Sequence, residues 1–371
     1  AQGIEIEFLA IHSDRKLERS KEVDWHHCPV TVIPNKGLLS NTVRAVSFIR
    51  TWLARSPEAY VLVRNESLVL LLLSLLASRS KLLFQLSHFK EETLLLDFRE
   101  RPALKTGIKA LLALGSILVR KFAIKRARLV FPISEAMKDR MVSTRERVTG
   151  LFPIPLGADV KSCSNGISRE EARLALNLPV EGEMVLYLGT LNRLRGLHLF
   201  IDAIEDLEAD YPESFLVFVG EGPTQEDKLF LQKYSQAKGQ GDRVHFVGAV
   251  PRNQTVKYID AADVGVSYFP ENWLFQTNSP TKVMEYLARG LPVAVNEQPE
   301  QSRITRSVNG GVVVSDASKF AQGISSVLMV RWDKPAIQQA FAKLRGYDSL
   351  VQEVHEMLVR ELGCENGRST S

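Results

Sequence analysis

With 371 residues the chain is too long for one ordinary hydrophobic core and comfortable for two domains of about 150–200 residues each. Its 45% hydrophobic and 24% charged residues are the balance of a folded globular protein, which excludes wholesale disorder and an integral membrane bundle. The formal net charge of +4 suits a nucleotide, a phosphorylated lipid or nothing in particular and decides little alone; no nucleic-acid partner is expected.

In the first half, β-type runs at 4–11, 60–63, 82–86 and 129–133 alternate with amphipathic stretches, the pattern of parallel strands covered by helices. The start is unusual, because a doubly wound unit opens with a strand, a glycine turn and a helix, whereas here Gly3 and Gly37 are the only glycines before Gly107. This leads to the expectation that a first strand with its glycine turn is absent from the sequence. His26 and His27 fall in a loop without an acidic partner, and Cys28, Cys163 and Cys364 are scattered, so neither a metal site nor a disulfide is expected and a reducing, cytoplasmic location follows. The longest uncharged apolar run, 67–78, has 12 residues, whereas a membrane-spanning helix needs about 20. It reads as a buried helix. No basic, signal-like leader opens the sequence.

Between Arg101 and Ser134 stand eight Lys and Arg and no acid, interleaved with the apolar stretch 110–119. That composition suits a core helix with a solvated basic face, and equally peripheral contact with an anionic membrane through residues 101–128. Small and polar residues at 156–178, with a helix start at Ser168, form the connection to the second half. There, strand runs at 185–188, 215–219, 244–247, 264–268 and 292–296 recur with helices between them. The expected organisation is a first Rossmann-like domain over 1–165, a second over 166–345, and at 346–371 a C-terminal helix packing back on the first domain, followed by a polar tail.

The motif with the clearest chemistry is NSPTKVMEYLARGLPVAV, 278–295. Ser279 is a suitable cap, Pro280 fits the first helical position, and Gly290 is placed to end the helix. Ser279, Pro280 and Thr281 thus mark a helix N-terminus whose unpaired backbone amides can hold a pyrophosphate, and Lys282 adds charge beside it. Glu285, four residues after Thr281, lies on the same helical face, where a carboxylate can accept from both hydroxyls of a ribose. Upstream, VLYLGTLNRLRG runs from a strand into a turn at Gly189 and Thr190 carrying Arg193 and Arg195, a place for a diphosphate clamp. The strand ends VGEGP, with Gly220 and Glu221, and VGAVP, with Val250, let a ligand approach the backbone closely.

Taken together, LGT with RG, VGEGP, VHFVGAV, AADVGVSYFP and SPTKVMEYLARGLPV resemble the C-terminal domain of retaining glycosyltransferase family 4, the group 1 transferases. LVFPISEAMKDRM and IPLGADV are similar to the end of that family's first domain. The resemblance covers about 125–365. It implies an α/β, GT-B fold of two doubly wound, Rossmann-like domains facing a central cleft, and retention of anomeric configuration without an obligatory metal or cofactor. The donor would be a UDP- or GDP-sugar, and the acceptor a glycan or lipid-linked molecule, in cell-envelope polysaccharide or glycolipid synthesis at the inner face of the membrane.

The same resemblance assigns Glu285 to the donor ribose as the second glutamate of an E-x7-E motif. It assigns Arg195, with Arg193 and Lys282, to the leaving diphosphate, and His88 to the neighbourhood of the reacting sugar. Thr277 stands where the first glutamate belongs, and Thr190 where an arginine is common. The SP-x-K-x-x-E pattern looks like a branch of the family. A non-catalytic nucleotide-sugar-binding subunit and a nucleotide-sugar epimerase of the same fold remain alternatives.

Overall fold

A computed structural model describes residues 8–11, 21–25, 28–33, 38–56, 59–76, 81–100, 104–160 and 167–362. It divides into two compact units, 1–133 with 137–153, and 134–136 with 154–371. The division falls before residue 154, upstream of the connection expected near 165.

In the first unit, β1 (Phe8–Ile11), β2 (Lys21–Trp25) and β3 (Cys28–Ile33) form a sheet in the order β1-β3-β2, with β1 parallel and β2 antiparallel to β3. The part of the first expected strand before Phe8 lies outside the described residues. After α1 (Leu38–Arg55) come β4 (Val61–Arg64), α2 (Ser67–Leu76), β5 (Leu82–Leu86), α3 (Lys90–Glu100), α4 (Leu104–Ile124) and β6 (Leu129–Pro132). Strands β4-β5-β6 make a parallel sheet. The run around 67–76 is indeed a helix, with Leu70 and Leu73 fully buried.

The polar part of this unit's interior is a charge cluster. Arg120 of α4, wholly buried, donates to Glu92 at 2.6 Å and lies 3.4 Å from Glu146, with its guanidinium 4.4 Å from the centre of the Phe89 ring. Arg140, in α5 (Glu135–Ser143), meets the other Glu92 oxygen at 2.5 Å. Burial lifts the Glu146 carboxyl above its usual range, and Arg120 opposes that shift.

The second unit opens with α6 (Arg169–Ala175), where Ser168 forms a capping box with Glu171 as the sequence implies. Six parallel strands follow: β7 (Met184–Leu188), β8 (Phe215–Val219), β9 (Val244–Gly248), β10 (Val264–Ser267), β11 (Val293–Asn296) and β12 (Gly311–Val314). Between them run α7 (His198–Asp206), α8 (Gln225–Ala237), α9 (Arg252–Ala261), the single turn α10 (Trp273–Gln276), α11 (Thr281–Ala288) and α12 (Pro299–Ser307). α13 (Phe320–Leu328), α14 (Lys334–Arg345) and α15 (Tyr347–Leu362) close the described chain, α15 packing on α14.

The sheet order β12-β11-β10-β7-β8-β9 is that of a doubly wound nucleotide-binding sheet, in which the chain starts at the centre and winds outward both ways. Every residue of β7, β8, β10 and β11 is buried. Apolar helices cover both faces, Met284, Tyr286 and Leu287 of α11 on one, Phe200 and Ile204 of α7 on the other. Strand β12, a GVVV run, was absent from the sequence expectation despite its β-branched residues.

Candidate functional site

Strand order reverses between β7 and β10, and ligands of open α/β sheets bind beyond the carboxyl ends of the strands at such a point. A cleft of about 410 Å³ opens there, entirely within the second unit. Its backbone wall comes from Gly189 and Thr190 after β7, Gly220 after β8, and Ala249 and Val250 after β9. Gly189 (φ +131°) and Gly220 (φ +142°) adopt conformations that other residues avoid, and a Cβ on Gly220 would stand 2.0 Å from the Gly189 carbonyl oxygen. The two turns therefore nest against each other and keep the wall free of side chains.

The opposite wall is the start of α11. The sequence expectation of Ser279 as cap needs correction: the chain enters the helix with Pro280 at the cap position and no side-chain cap. The Ser279 hydroxyl instead accepts from the Leu156 amide at 3.2 Å. The first amides of α11 thus have no side-chain acceptor, and they border the cleft beside Pro280 and Thr281. That is the arrangement of an anion site.

Lys282 is only 8% exposed, with its ammonium 4.4 Å from the Tyr187 ring centre and 5.6 Å from that of Phe269. Burial, then the neighbouring Arg195, push the amine well below the ordinary lysine range, and Glu285 opposes them. Arg195 sits at the end of the short turn Arg193–Arg195, its guanidinium 6.0 Å from the Phe275 ring centre, and the buried Tyr187 hydroxyl donates to the Thr190 carbonyl at 3.3 Å. Half-buried Glu285 completes this wall, its carboxyl raised by burial and lowered in turn by Arg252 and Lys282. Two cations, a helix N-terminus and one carboxylate therefore converge on one cleft.

The structure brings Gly189, Thr190, Arg195, Gly220, Val250, Ser279, Pro280, Thr281, Lys282 and Glu285 to this cleft. Three other candidates of the same unit stand apart from its lining. Arg193 turns toward α8, its guanidinium 5.1 Å from the Phe230 ring centre and 3.5 Å from the Glu226 carbonyl. Glu221 is paired with Lys228 at 3.1 Å. Thr277 is buried at the end of α10, its hydroxyl donating to the Leu274 carbonyl at 3.0 Å. His88, in the first unit, is exposed, with its Nδ1 3.2 Å from the Ser87 hydroxyl.

One contributor was not foreseen. Tyr286, fully buried, accepts from the Leu188 amide at 2.8 Å and donates to the Leu186 carbonyl at 3.1 Å. Strand β10 pairs with β7 only as far as Gly265 opposite Leu186, so the phenol replaces the ladder where the strands part. Its ring occupies the space over Gly265, where a Cβ would come within 2.5 Å. An isolated glycine inside a strand signals such a close approach, and Gly265 in VGVS was the available sign.

Comparison with known proteins agrees with this geometry. Residues 168–342 match the family described as Glycosyl transferases group 1. Among curated relatives, the Bacillus subtilis protein named "Putative teichuronic acid biosynthesis glycosyltransferase TuaC" is 30% identical over 179 residues, 48% of this chain and 41% of that protein. The D-inositol 3-phosphate glycosyltransferase of Corynebacterium urealyticum is 31% identical over 128 residues, 33% of this chain and 30% of that one. The chain thus spans less than half the length of either relative. Among solved structures, sucrose-phosphate synthase from Thermosynechococcus elongatus superposes with a TM-score of 0.72 at 18% identity, covering 98% of this chain and 90% of that one. The Anabaena protein HepE, solved in complex with UDP, gives 0.67 at 18% identity, covering 90% and 87%.

The class defined by the parallel sheets and by these likenesses is the α/β, GT-B glycosyltransferase fold. Within it, residues 168–342 are similar to the glycosyl transferases group 1 family.

Proposed function

We propose that the protein is a retaining glycosyltransferase that moves a hexose-type sugar from a UDP- or GDP-sugar to a glycan or lipid-linked acceptor. The observation that carries this reading is the convergence of Arg195, Lys282, the uncapped start of α11 and Glu285 on a single cleft at the strand switch point. The demand of such a reaction is to stabilise the departing nucleoside diphosphate, and fixed cations beside unpaired helix amides meet it electrostatically. Glu285, one turn further along α11, is spaced to accept from a ribose. Because protein cations supply the positive charge, the reading calls for no metal or other cofactor. UDP in the HepE structure favours a uridine donor, and the name of the Bacillus relative favours cell-envelope polysaccharide or glycolipid synthesis. A cytoplasmic, membrane-peripheral location belongs to the same reading.

Titration calorimetry with UDP and GDP tests the donor site. Glu285→Ala and Arg195→Ala should each weaken nucleotide binding at least tenfold, about 1.4 kcal/mol. Unchanged affinity in both variants would place the donor elsewhere. A second reading, a non-catalytic nucleotide-sugar-binding subunit, is favoured by Thr277, whose hydroxyl is committed to the Leu274 carbonyl where the family pattern has a carboxylate. Donor binding without turnover of UDP-hexose across an acceptor panel would select it.

A further inference from the structure

Helix α4 of the first unit combines an unusual outer face with a fixed inner one. Leu111 (72% exposed), Leu118 (60%) and Phe122 (61%) stand open to solvent, and Ile108, Leu112 and Leu114 are each more than half exposed. At about 100° per residue these six fall within one arc of less than half the helix circumference. Lys121 borders that arc on one side and Lys109 on the other, and Lys125 and Arg126 follow at the helix end. Over its 21 residues the helix carries no acid.

The apolar arc cannot turn inward. The opposite side of α4 packs on α2 and α3 through Ala110, Ala113 and Ala123, and it carries Arg120, locked to Glu92 and Glu146. Rotating the helix would strand the buried Glu146 without its cation and leave Glu92 only Arg140, a heavy penalty in a buried setting. The exposed face is therefore held outward by the unit's own ion cluster.

We infer that the outer face of α4 is a docking surface for anionic lipid, lying in the plane of the bilayer with its apolar arc among the acyl chains and its lysines at the headgroups. A helix of this kind, apolar on one arc and basic on its flanks, is what an interface-parallel segment requires. Charge separates this occupant from a second copy, since two such helices face to face would oppose lysine to lysine without an acid between them. Spanning is excluded for α4 by its buried inner side, and no helix among the described residues is long and apolar enough to cross a membrane. The surface deepens the membrane-peripheral part of the proposed function and rests on it for the choice of membrane, but the donor cleft has no part in it.

Co-sedimentation of the full chain with vesicles of phosphatidylcholine alone, and with 30% (about a third) phosphatidylglycerol, tests the inference directly. The chain should partition onto the anionic vesicles at least tenfold more strongly than onto the neutral ones. The double variant Leu111→Glu/Leu118→Glu should lose that binding, and Lys109→Glu/Lys121→Glu, which leaves every apolar contact intact, should weaken it and flatten its salt dependence. Nucleotide binding, measured on the same preparations, should be unchanged, and an unshifted melting transition of the first unit reports that the variants are folded. Equal partition onto both vesicle types overturns the inference, as does binding indifferent to both double variants. So does a dimer in sedimentation velocity that the leucine variant dissolves, which would assign the face to a second copy. Failure of nucleotide binding in the parent chain would count against the donor cleft and leave the vesicle result standing.

Discussion

The second unit and the first solve the same folding problem with different materials. In the second, six parallel strands form one continuous sheet, its four central strands wholly buried, and its buried charges are held in separate pairs off the strands, such as Arg173 with Asp263 and Arg289 with Asp260. In the first, the described strands form two sheets of three, β4 alternates between buried and exposed residues, and Arg120, Glu92 and Glu146 are sunk in the interior. Hydrophobic burial is non-directional and tolerant, whereas a buried ion cluster is strong only while every member is present. Loss of one member of the first unit's cluster is therefore expected to act abruptly, whereas loss of apolar area from the second unit's sheet should weaken it gradually.

The sharpest break of that comparison is Arg120→Met, which leaves the buried Glu146 without its cation and Glu92 with Arg140 alone, and should cost about 3–5 kcal/mol. Calorimetry should show the first unit melting separately and earlier, with the nucleotide-binding transition of the second retained. A single unshifted transition would mean the cluster contributes nothing. Next in size, Tyr286→Phe keeps the ring over Gly265 but leaves the Leu188 amide without its acceptor, at about 1–3 kcal/mol. Here the loss should appear in nucleotide affinity as well as in melting temperature. Ser168→Ala removes the capping box of α6 and should cost about 1 kcal/mol, read as a lowered urea midpoint with nucleotide affinity intact.

A pH experiment sharpens the contrast from the side of the cleft. Burial and Arg195 hold the Lys282 amine low in the empty site, and a bound diphosphate would raise it. A group whose protonated form binds the ligand takes up protons on binding, so affinity should fall as pH rises through the lowered value of the empty site. Calorimetry at pH 8 in two buffers of different ionisation enthalpy measures that uptake directly. Zero uptake would mean that the diphosphate leaves the protonation of Lys282 unchanged.

How much of this was legible in the sequence follows the same divide. The five strand runs expected in the second half all exist, because each is a short apolar run closed by a glycine or polar turn. In the first half β2 and β3 were unforeseen, since the Trp25–Cys28 connection places two histidines between short strands where a loop is equally plausible. At the site, Lys282 and Glu285 were readable because helical spacing puts both on one face. Arg193 lies off the cleft lining for a physical reason: side chains of a tight turn diverge, and Phe230 offers its guanidinium a ring to lie over. Burial is a property of the fold rather than of spacing, and so neither the desolvation of Lys282 nor the bridging role of Tyr286 could be read beforehand.

The Tyr286 phenol also acts as a gauge. Its ring length sets how far the axis of α11 stands from the end of β7, and Lys282 and Glu285 ride on that same helix, one turn and one residue away. A change in that single spacer would shift the ammonium and the carboxylate together, relative to a glycine turn that cannot follow. The gap between those two groups and the glycine turns across the cleft is thus measured out by one aromatic ring that is not part of the lining.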